Sequence, residues 1–261
     1  TCGAPVGAFG PMNHEREKTR YFSPAMILGL LTFMLALIFS VFQLQSAAFP
    51  LSVFVLFCLV APFCHTKGFF LPVINRGNTG RPVVSVTFDD GPDPATTGPL
   101  LQLLERHAVK AVFFVTGENA EINGSLISAI LEQGHDIGNH SFHHDPFLML
   151  RRSGILVKEI EATQALLHRF GISPAAFRPP VGITNPKLDD ILRKRGMYCL
   201  TFSCRANDCG NRRMDGLSRK ILKKAKPDDI ILLHDIRPQR AIDTDVWLHE
   251  VDLILSGLKN K

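Results

Sequence analysis

No two cysteines in this sequence form a CxxC pair, although six are present: Cys2, Cys58, Cys64, Cys199, Cys204 and Cys209. The last three recur every five residues, which matches no zinc-binding pattern. A zinc finger or ribbon is therefore excluded. The cysteines read as free thiols, which favours a reducing compartment. Aromatic residues do not alternate with the short basic clusters at Arg151 and Arg152, at 193–195 and at 220–226. Nucleic acid thus has little support as a partner. The clusters read as solvated helix faces that, beside a membrane, also attract anionic head groups or a phosphate-bearing lipid. The net charge of +5 is mild and spread along the chain.

Charge is missing altogether from residues 25–44 and 47–64. Each stretch is long enough, or nearly so, to cross a bilayer as a helix. Neither has a polar face, which argues against a core hairpin of a soluble protein. Two successive apolar runs also fit a cleaved signal peptide poorly. Arg16, Lys18 and Arg20 precede the first run, and Lys67, Arg76 and Arg81 follow the second. The turn between them carries no basic residue, so the positive-inside rule predicts a hairpin with both ends in the cytoplasm. In a competing arrangement one run anchors and the other lies at the interface, since Pro50 and Pro62 weaken the second. That arrangement moves the rest of the chain to the far side. The expected organisation is a disordered tail over 1–24, a transmembrane hairpin over 25–64, a linker over 65–80 and a catalytic domain over 81–261. The chain opens on Thr1, with Met12 a plausible start, and stops at Lys261 just after a helical pattern. Both ends are expected to be incomplete.

From residue 81 onward the pattern alternates. Strand-like runs at 83–88, 111–115, 136–139, 176–178, 197–202 and 230–233 are separated by helical spacing at 99–107, 125–133, 153–170, 187–195 and 215–225. A last helix follows at 247–258. Strands alternating with helices predict a parallel α/β fold, and six strands suit a distorted, incomplete β/α barrel behind an all-helical membrane hairpin. Chemistry in such a fold sits at the C-terminal strand ends. Asp89, Asp90, His140, Arg178, Asp208 and His234 all fall there.

The motif TFDDGPD at 87–93 puts two carboxylates side by side, and HSFHH at 140–144 follows about fifty residues later. Asp90, His140 and His144 would supply one oxygen and two nitrogens, a set that binds a divalent cation such as Zn²⁺ and leaves a position open. The i, i+4 spacing brings the two histidines to one side of a helical turn. His143 competes for the place of His144, with a surface role as the plainer reading. Side chains alternate along a strand, so Asp89 points away from the ion that Asp90 holds and is free to accept a proton. An apolar strand delivers His234, a natural general acid. Asp208 can orient it, or is simply a loop residue. Arg178, ahead of Pro179 and Pro180, can pair with the Asp89 carboxylate, and the rigid turn can present a backbone N–H to an oxyanion.

Together these pieces resemble the NodB-type polysaccharide deacetylases, carbohydrate esterase family 4, over about residues 81–258. FFVTG at 113–117 and IGN at 137–139 add to the likeness. The resemblance implies Asp89 as base, Asp90, His140 and His144 as metal ligands, and His234 as acid. RPPVG at 178–182 is similar to the third motif of the family. Two aromatic positions of the pattern are filled here by Val181 and Cys209, which alters the walls of the sugar pocket. The family barrel also usually closes with a further strand after the last helix, and that strand is absent, as expected of a truncated chain.

The resulting expectation is metal-dependent hydrolysis of an N-acyl amide on an amino sugar, with Val181 N–H at the oxyanion. N-deacetylation of a polysaccharide or lipid-linked glycan comes first. Deformylation of a lipid-linked formamido sugar is the rival, and a non-catalytic glycan-binding membrane protein is the alternative of another class. A bacterial inner-membrane location with the catalytic domain on the cytoplasmic side follows from the hairpin.

Overall fold

The computed structural model describes residues 22–42, 44–61, 68–238 and 243–261. The tail over 1–21, with Arg16, Lys18 and Arg20, lies outside the described residues, as do Pro62, Cys64 and Lys67.

Helix α1 (Pro24–Phe42) is 19 residues of uncharged sequence, and only Ala25, Thr32 and Ala36 are buried in it. At 1.5 Å per residue it reaches about 28 Å, close to the thickness of a bilayer core. It is the one helix among the described residues long and apolar enough to cross a membrane. A 3₁₀ turn (Leu44–Ala47) leads into α2 (Ala48–Val60). Those 13 α-helical residues, about 20 Å long, are the described helical part of the second apolar run expected over 47–64, of which 62–64 lie outside the described residues. The two helices pack where Gly29 has no side chain: a Cβ there would stand 3.0 Å from the Phe54 ring. Thr32 returns its hydroxyl to the Leu28 carbonyl at 2.9 Å, which satisfies the polar atom inside an apolar helix.

The Ala25 N–H donates to the Phe69 carbonyl at 3.0 Å, so α1 begins beside the segment that enters the sheet. That segment was expected to be part of a linker. Instead it contributes an edge strand, β1 (Val73–Ile74), paired with a strand late in the chain. A two-residue strand carries too little periodicity to stand out in a sequence. There follow β2 (Ser85–Asp89), α3 (Thr97–Arg106), β3 (Val112–Val115), α4 (Gly117–Ile122), α5 (Gly124–Glu132), β4 (Asp136–Asn139), α6 (Ser153–His168), β5 (Ala176–Phe177), α7 (Leu188–Arg193), β6 (Tyr198–Leu200), β7 (Cys204–Arg205), α8 (Leu217–Lys224), β8 (Ile230–His234) and α9 (Asp243–Lys259).

The eight strands form one sheet in the order β1-β6-β5-β4-β3-β2-β8-β7, and every neighbouring pair is parallel. Strand β6 stands next to one edge and β7 is the other edge, yet only residues 201–203 join them. Four Cα steps reach at most about 14 Å, so the sheet has to curl until its edges meet. The connection seals them: Thr201 N–H donates to Ile74 of β1 at 2.8 Å, and Ser203 N–H donates to Ile230 of β8 at 3.1 Å. An antiparallel bridge between Arg76 and Asp229 spans the same gap. The fold is thus the distorted parallel β/α barrel anticipated, with eight strands rather than six.

Strand alternation sorts the core into two layers. Outward-facing Val86, Phe88, Phe113, Val115, Ile231 and Leu233 pack under helices with Leu100, Ile127, Ile221 and Trp247. Inward-facing Val112, Phe114, Leu200, Phe202, Ile230 and Leu232 form a cluster without a single helical residue, the plug of the barrel. Above that plug the strands end in a cleft.

Candidate active site

Asp89 closes β2, and Asp90 turns into the left-handed region at φ 74°. Alternation along a strand had predicted opposite directions for the two carboxylates. The turn at Asp90 cancels it, and both line one cleft of about 890 Å³. The turn is braced from both sides. Asn119 donates to the Asp90 carbonyl at 2.7 Å, and Asp235 N–H donates to the Asp89 carbonyl at 2.8 Å. Gly91 is required here, because a Cβ would lie 2.6 Å from Asp235 Oδ2. Asp235 itself is fully buried and accepts from Thr96 Oγ1 at 2.7 Å and Thr97 Oγ1 at 2.6 Å. Burial pushes its carboxyl up to about 7.

The histidines do not lie on a helical turn as expected. Residues 140–144 form a loop after β4, with Ser141 at φ 65° and His144 at φ 53°. Spacing of i, i+4 is therefore met by two left-handed residues rather than by helix periodicity. Sequence gave no signal for what holds the loop. Asn139, buried at the end of β4, accepts from Ser141 N–H at 2.9 Å and donates to the Ile160 carbonyl at 3.0 Å. Glu159 of α6 accepts the N–H groups of Phe142 and His143 at 3.1 and 2.9 Å, and the His143 ring at 2.7 Å. His143 is thereby turned to Glu159, with 61% of its side chain exposed, and stays apart from the cluster.

Asp90, His140 and His144 each offer a ligand atom, and those atoms lie within 4.8 Å of one another. Asp90 Oδ1 is 3.4 Å from His140 Nε2 and 3.3 Å from His144 Nε2, yet it is buried without a hydrogen-bond donor. A buried carboxylate oxygen left over beside two ring nitrogens fits a divalent cation. His140 Nδ1 sits 2.7 Å from the Arg178 carbonyl. A carbonyl only accepts, so Nδ1 carries the proton and Nε2 turns its lone pair to the cluster, the outer-shell arrangement common to metal-binding histidines. Burial opposes ionisation of Asp90, but the contact with His140 and the charges of His234, His140 and His144 outweigh it and hold the carboxyl below its usual range.

Arg178, 1% exposed, donates to Asp89 Oδ1 at 2.6 Å and Thr87 Oγ1 at 2.8 Å. It also reaches the Leu200 and Thr201 carbonyls and lies 3.9 Å above the Phe114 ring. Five contacts leave the guanidinium one position. Asp89 Oδ2 remains toward the cleft, 3.7 Å from His140 Nε2. Val181 follows in a short 3₁₀ segment at φ 50°, half-exposed on the cleft wall.

On the strand next to β2, in register with Asp89, His234 ends β8, and its Nδ1 stands 2.7 Å from Asp208 Oδ2. Burial opposes charging of this imidazole. The hydrogen bond and charge of Asp208, then the charges of Asp90 and Asp89, outweigh burial and push it up to about 9. Asp208 comes from a loop in which Asn207, Cys209, Gly210 and Asn211 all have positive φ. Asn211, unmarked in the sequence, donates to the carbonyls of His234 and Ile236 at 3.0 and 2.8 Å. Gly210 brings the loop to the cation cluster: a Cβ there would stand 3.9 Å from Asp90 Oδ2. Cys209 is an exposed thiol on the wall.

This arrangement has counterparts. The profile of a family described as polysaccharide deacetylase matches residues 76–200. A chitooligosaccharide deacetylase of Sinorhizobium fredii is 33% identical over 67% of this chain and 83% of its own length. A peptidoglycan-N-acetylglucosamine deacetylase of Listeria monocytogenes is 30% identical over 68% of this chain, which spans only 37% of that relative. Among solved structures, a peptidoglycan N-acetylglucosamine deacetylase superposes with a TM-score of 0.66 at 29% identity, covering 72% of this chain and 86% of the other. With sequence and fold agreeing, the chain belongs to the polysaccharide deacetylase family.

Proposed function

We propose that this protein hydrolyses the N-acyl amide, foremost N-acetyl, of an amino sugar in a polysaccharide or lipid-linked glycan. The observation that carries the reading is the buried, donor-free Asp90 Oδ1 facing two imidazoles, with a second carboxylate, Asp89, held apart from it by Arg178. Asp90, His140 and His144 would hold a divalent cation, Zn²⁺ by the chemistry of the donor set, which when bound supplies Lewis acidity toward a carbonyl and a water.

The remaining work belongs to the chain. Asp89 Oδ2, the oxygen turned to the cleft, takes the proton of the attacking water. Arg178 fixes that carboxylate, so the base arrives oriented rather than by chance. The Val181 N–H donates to the carbonyl oxygen as negative charge gathers on it. His234 Nε2 gives its proton to the departing nitrogen. Asp208, on Nδ1, keeps that imidazole charged and aligned. The products are a free amine and a carboxylate.

The apolar helix α1 supports a membrane-attached enzyme with the hairpin over 25–64, the catalytic domain beyond it, and the cytoplasmic side favoured by the basic flanks. Purified full chain should release acetate from N-acetylglucosamine oligomers, stop on chelation and restart on adding Zn²⁺. Acetate and formate assayed side by side on acetamido and formamido sugars decide the acyl group. Release unchanged in Asp89→Asn would overturn the assignment of the base, and a reporter fused at Lys261 tests the membrane side.

A further inference from the structure

Three charged side chains that line the cleft, Glu118, Arg205 and Arg212, are left unused by this chemistry. Arg205 belongs to β7, where Cys204 faces the outer core. Its register partner on β8 is Leu232, a member of the inner cluster. Strand alternation therefore turns Arg205 inward, onto the cleft wall it lines with Leu232 and Phe202. Its guanidinium rests 5.2 Å from the centre of the Phe202 ring, so the head is positioned. No carboxylate pairs with it among the described residues, whereas Asp89 has Arg178 and Asp208 has His234. A half-buried cation without a counter-charge is costly, and inward-facing charges are ordinarily paired. Arg212 lines the same wall, exposed and equally free of an ion pair among the described residues. Between them runs the 207–210 loop that reaches Asp90.

We infer that Arg205, with Arg212 at the rim, forms a subsite for an anionic oxygen group, phosphate or carboxylate, carried by the substrate next to its amino sugar. The inference rests on the amino-sugar reading above and narrows it to acidic glycans. Guanidinium offers paired N–H donors that match both anions in a two-point contact. The ring beneath fixes its plane, and the sugar bearing the anion then lies over the catalytic end of the cleft.

The test is binding to the full chain in neutral detergent, by calorimetry, with three probes: N-acetylglucosamine, N-acetylglucosamine 1-phosphate and N-acetylmuramic acid. The subsite predicts that at least one acidic probe binds tenfold or more tightly than the neutral one. The winning probe tells phosphate from carboxylate. In Arg205→Met the ratio of acidic to neutral affinity should fall to below threefold, and in Arg212→Gln by a smaller factor. Lys223→Gln, which removes a charge from the exposed face of α8, should keep the wild-type ratio. A ratio near one in the wild type, or a ratio that survives Arg205→Met, overturns the subsite. Acyl release is scored separately. If the Arg205-dependent preference stands while no probe or oligomer is deacylated, the hydrolase reading falls and the subsite remains.

Discussion

The two sides of the cleft are built differently. On one side, Asp89, Asp90, His140 and Arg178 sit at the ends of β2, β4 and the segment after β5. There the key polar atoms are held by buried partners: Thr87, Asn139, Thr96, Thr97 and Asp235. On the other side, His234 ends β8, the neighbour of β2, while its partner Asp208 comes from one loop of left-handed residues, fastened in part by Asn211. The first side has little room to vary, since each side chain is fixed by several others. The second holds Cys209, one of the two positions where this sequence departs from the family pattern, and the cations Arg205 and Arg212. The contrast suggests that the reaction is set by the rigid side and substrate choice by the other.

Five variants break or sharpen that contrast. The largest effect is expected from Asp89→Asn on the rigid side, a loss of up to about 10⁴-fold in kcat, at the upper end for a general base. Zn²⁺ content should stay at wild-type stoichiometry, measured by atomic emission after dialysis. His140→Ala should instead lose the metal on dialysis. Retention of a full equivalent there would show that the cluster is not the binding site.

On the opposite side His234→Gln is expected to cost about 10²-fold in kcat with an amide substrate. It should cost less with an aryl ester, whose leaving group needs no proton. Equal losses on both substrates would remove His234 from the role of acid.

Asp208→Asn should be milder, about tenfold to hundredfold, and it has a pH signature. His234 is raised from 6.5 to about 9 in the folded protein. Its pair with Asp208 thus contributes stability that is complete below about pH 6.5 and lost as pH rises through about 9. Urea unfolding of the metal-free protein at pH 6, 7.5 and 9 should show that decline in the wild type, and a flatter profile in Asp208→Asn.

The smallest effect is expected from His143→Ala. Its exposed ring meets Glu159 and the edge of the Phe142 ring rather than the cation cluster, so kcat/KM should change by about twofold. A loss as large as that of His144→Ala would mean that the two histidines trade places.

Much of this was legible in the sequence, for identifiable reasons. Helices α3, α5, α6, α7, α8 and α9 and the strands of four or more residues carry a full period of apolar pattern, so they appear within a few residues of their expected bounds. Strands β1 and β7, two residues each, were missed because two residues hold no period, whereas β5, equally short, was marked by the prolines that follow it at 179 and 180. Residue types and motif spacing grouped Asp90, His140 and His144, which the fold does bring together, but gave a wrong local geometry. The i, i+4 spacing suggests helix, yet the positive φ of Ser141 and His144 depends on Asn139 and Glu159, partners that only the fold brings near. Likewise, alternation predicted divergent carboxylates because nothing local marks Asp90 as left-handed. Only the contact of Gly91 with Asp235, a long way along the chain, shows why the backbone turns there. Arg205 looked like one basic residue among many until the register of β7 gave it a direction.

The three-residue seam has a final consequence. Thr201, whose N–H joins β1, also receives the Arg178 guanidinium through its carbonyl at 3.0 Å, and Leu200 does the same at 3.3 Å. The cation that holds Asp89 is thus anchored to the stitch that keeps the cylinder shut. Loosening that stitch, by heat or by a proline at 201, should end the proposed acyl release before the chain unfolds, with loss of activity running ahead of the loss of circular dichroism.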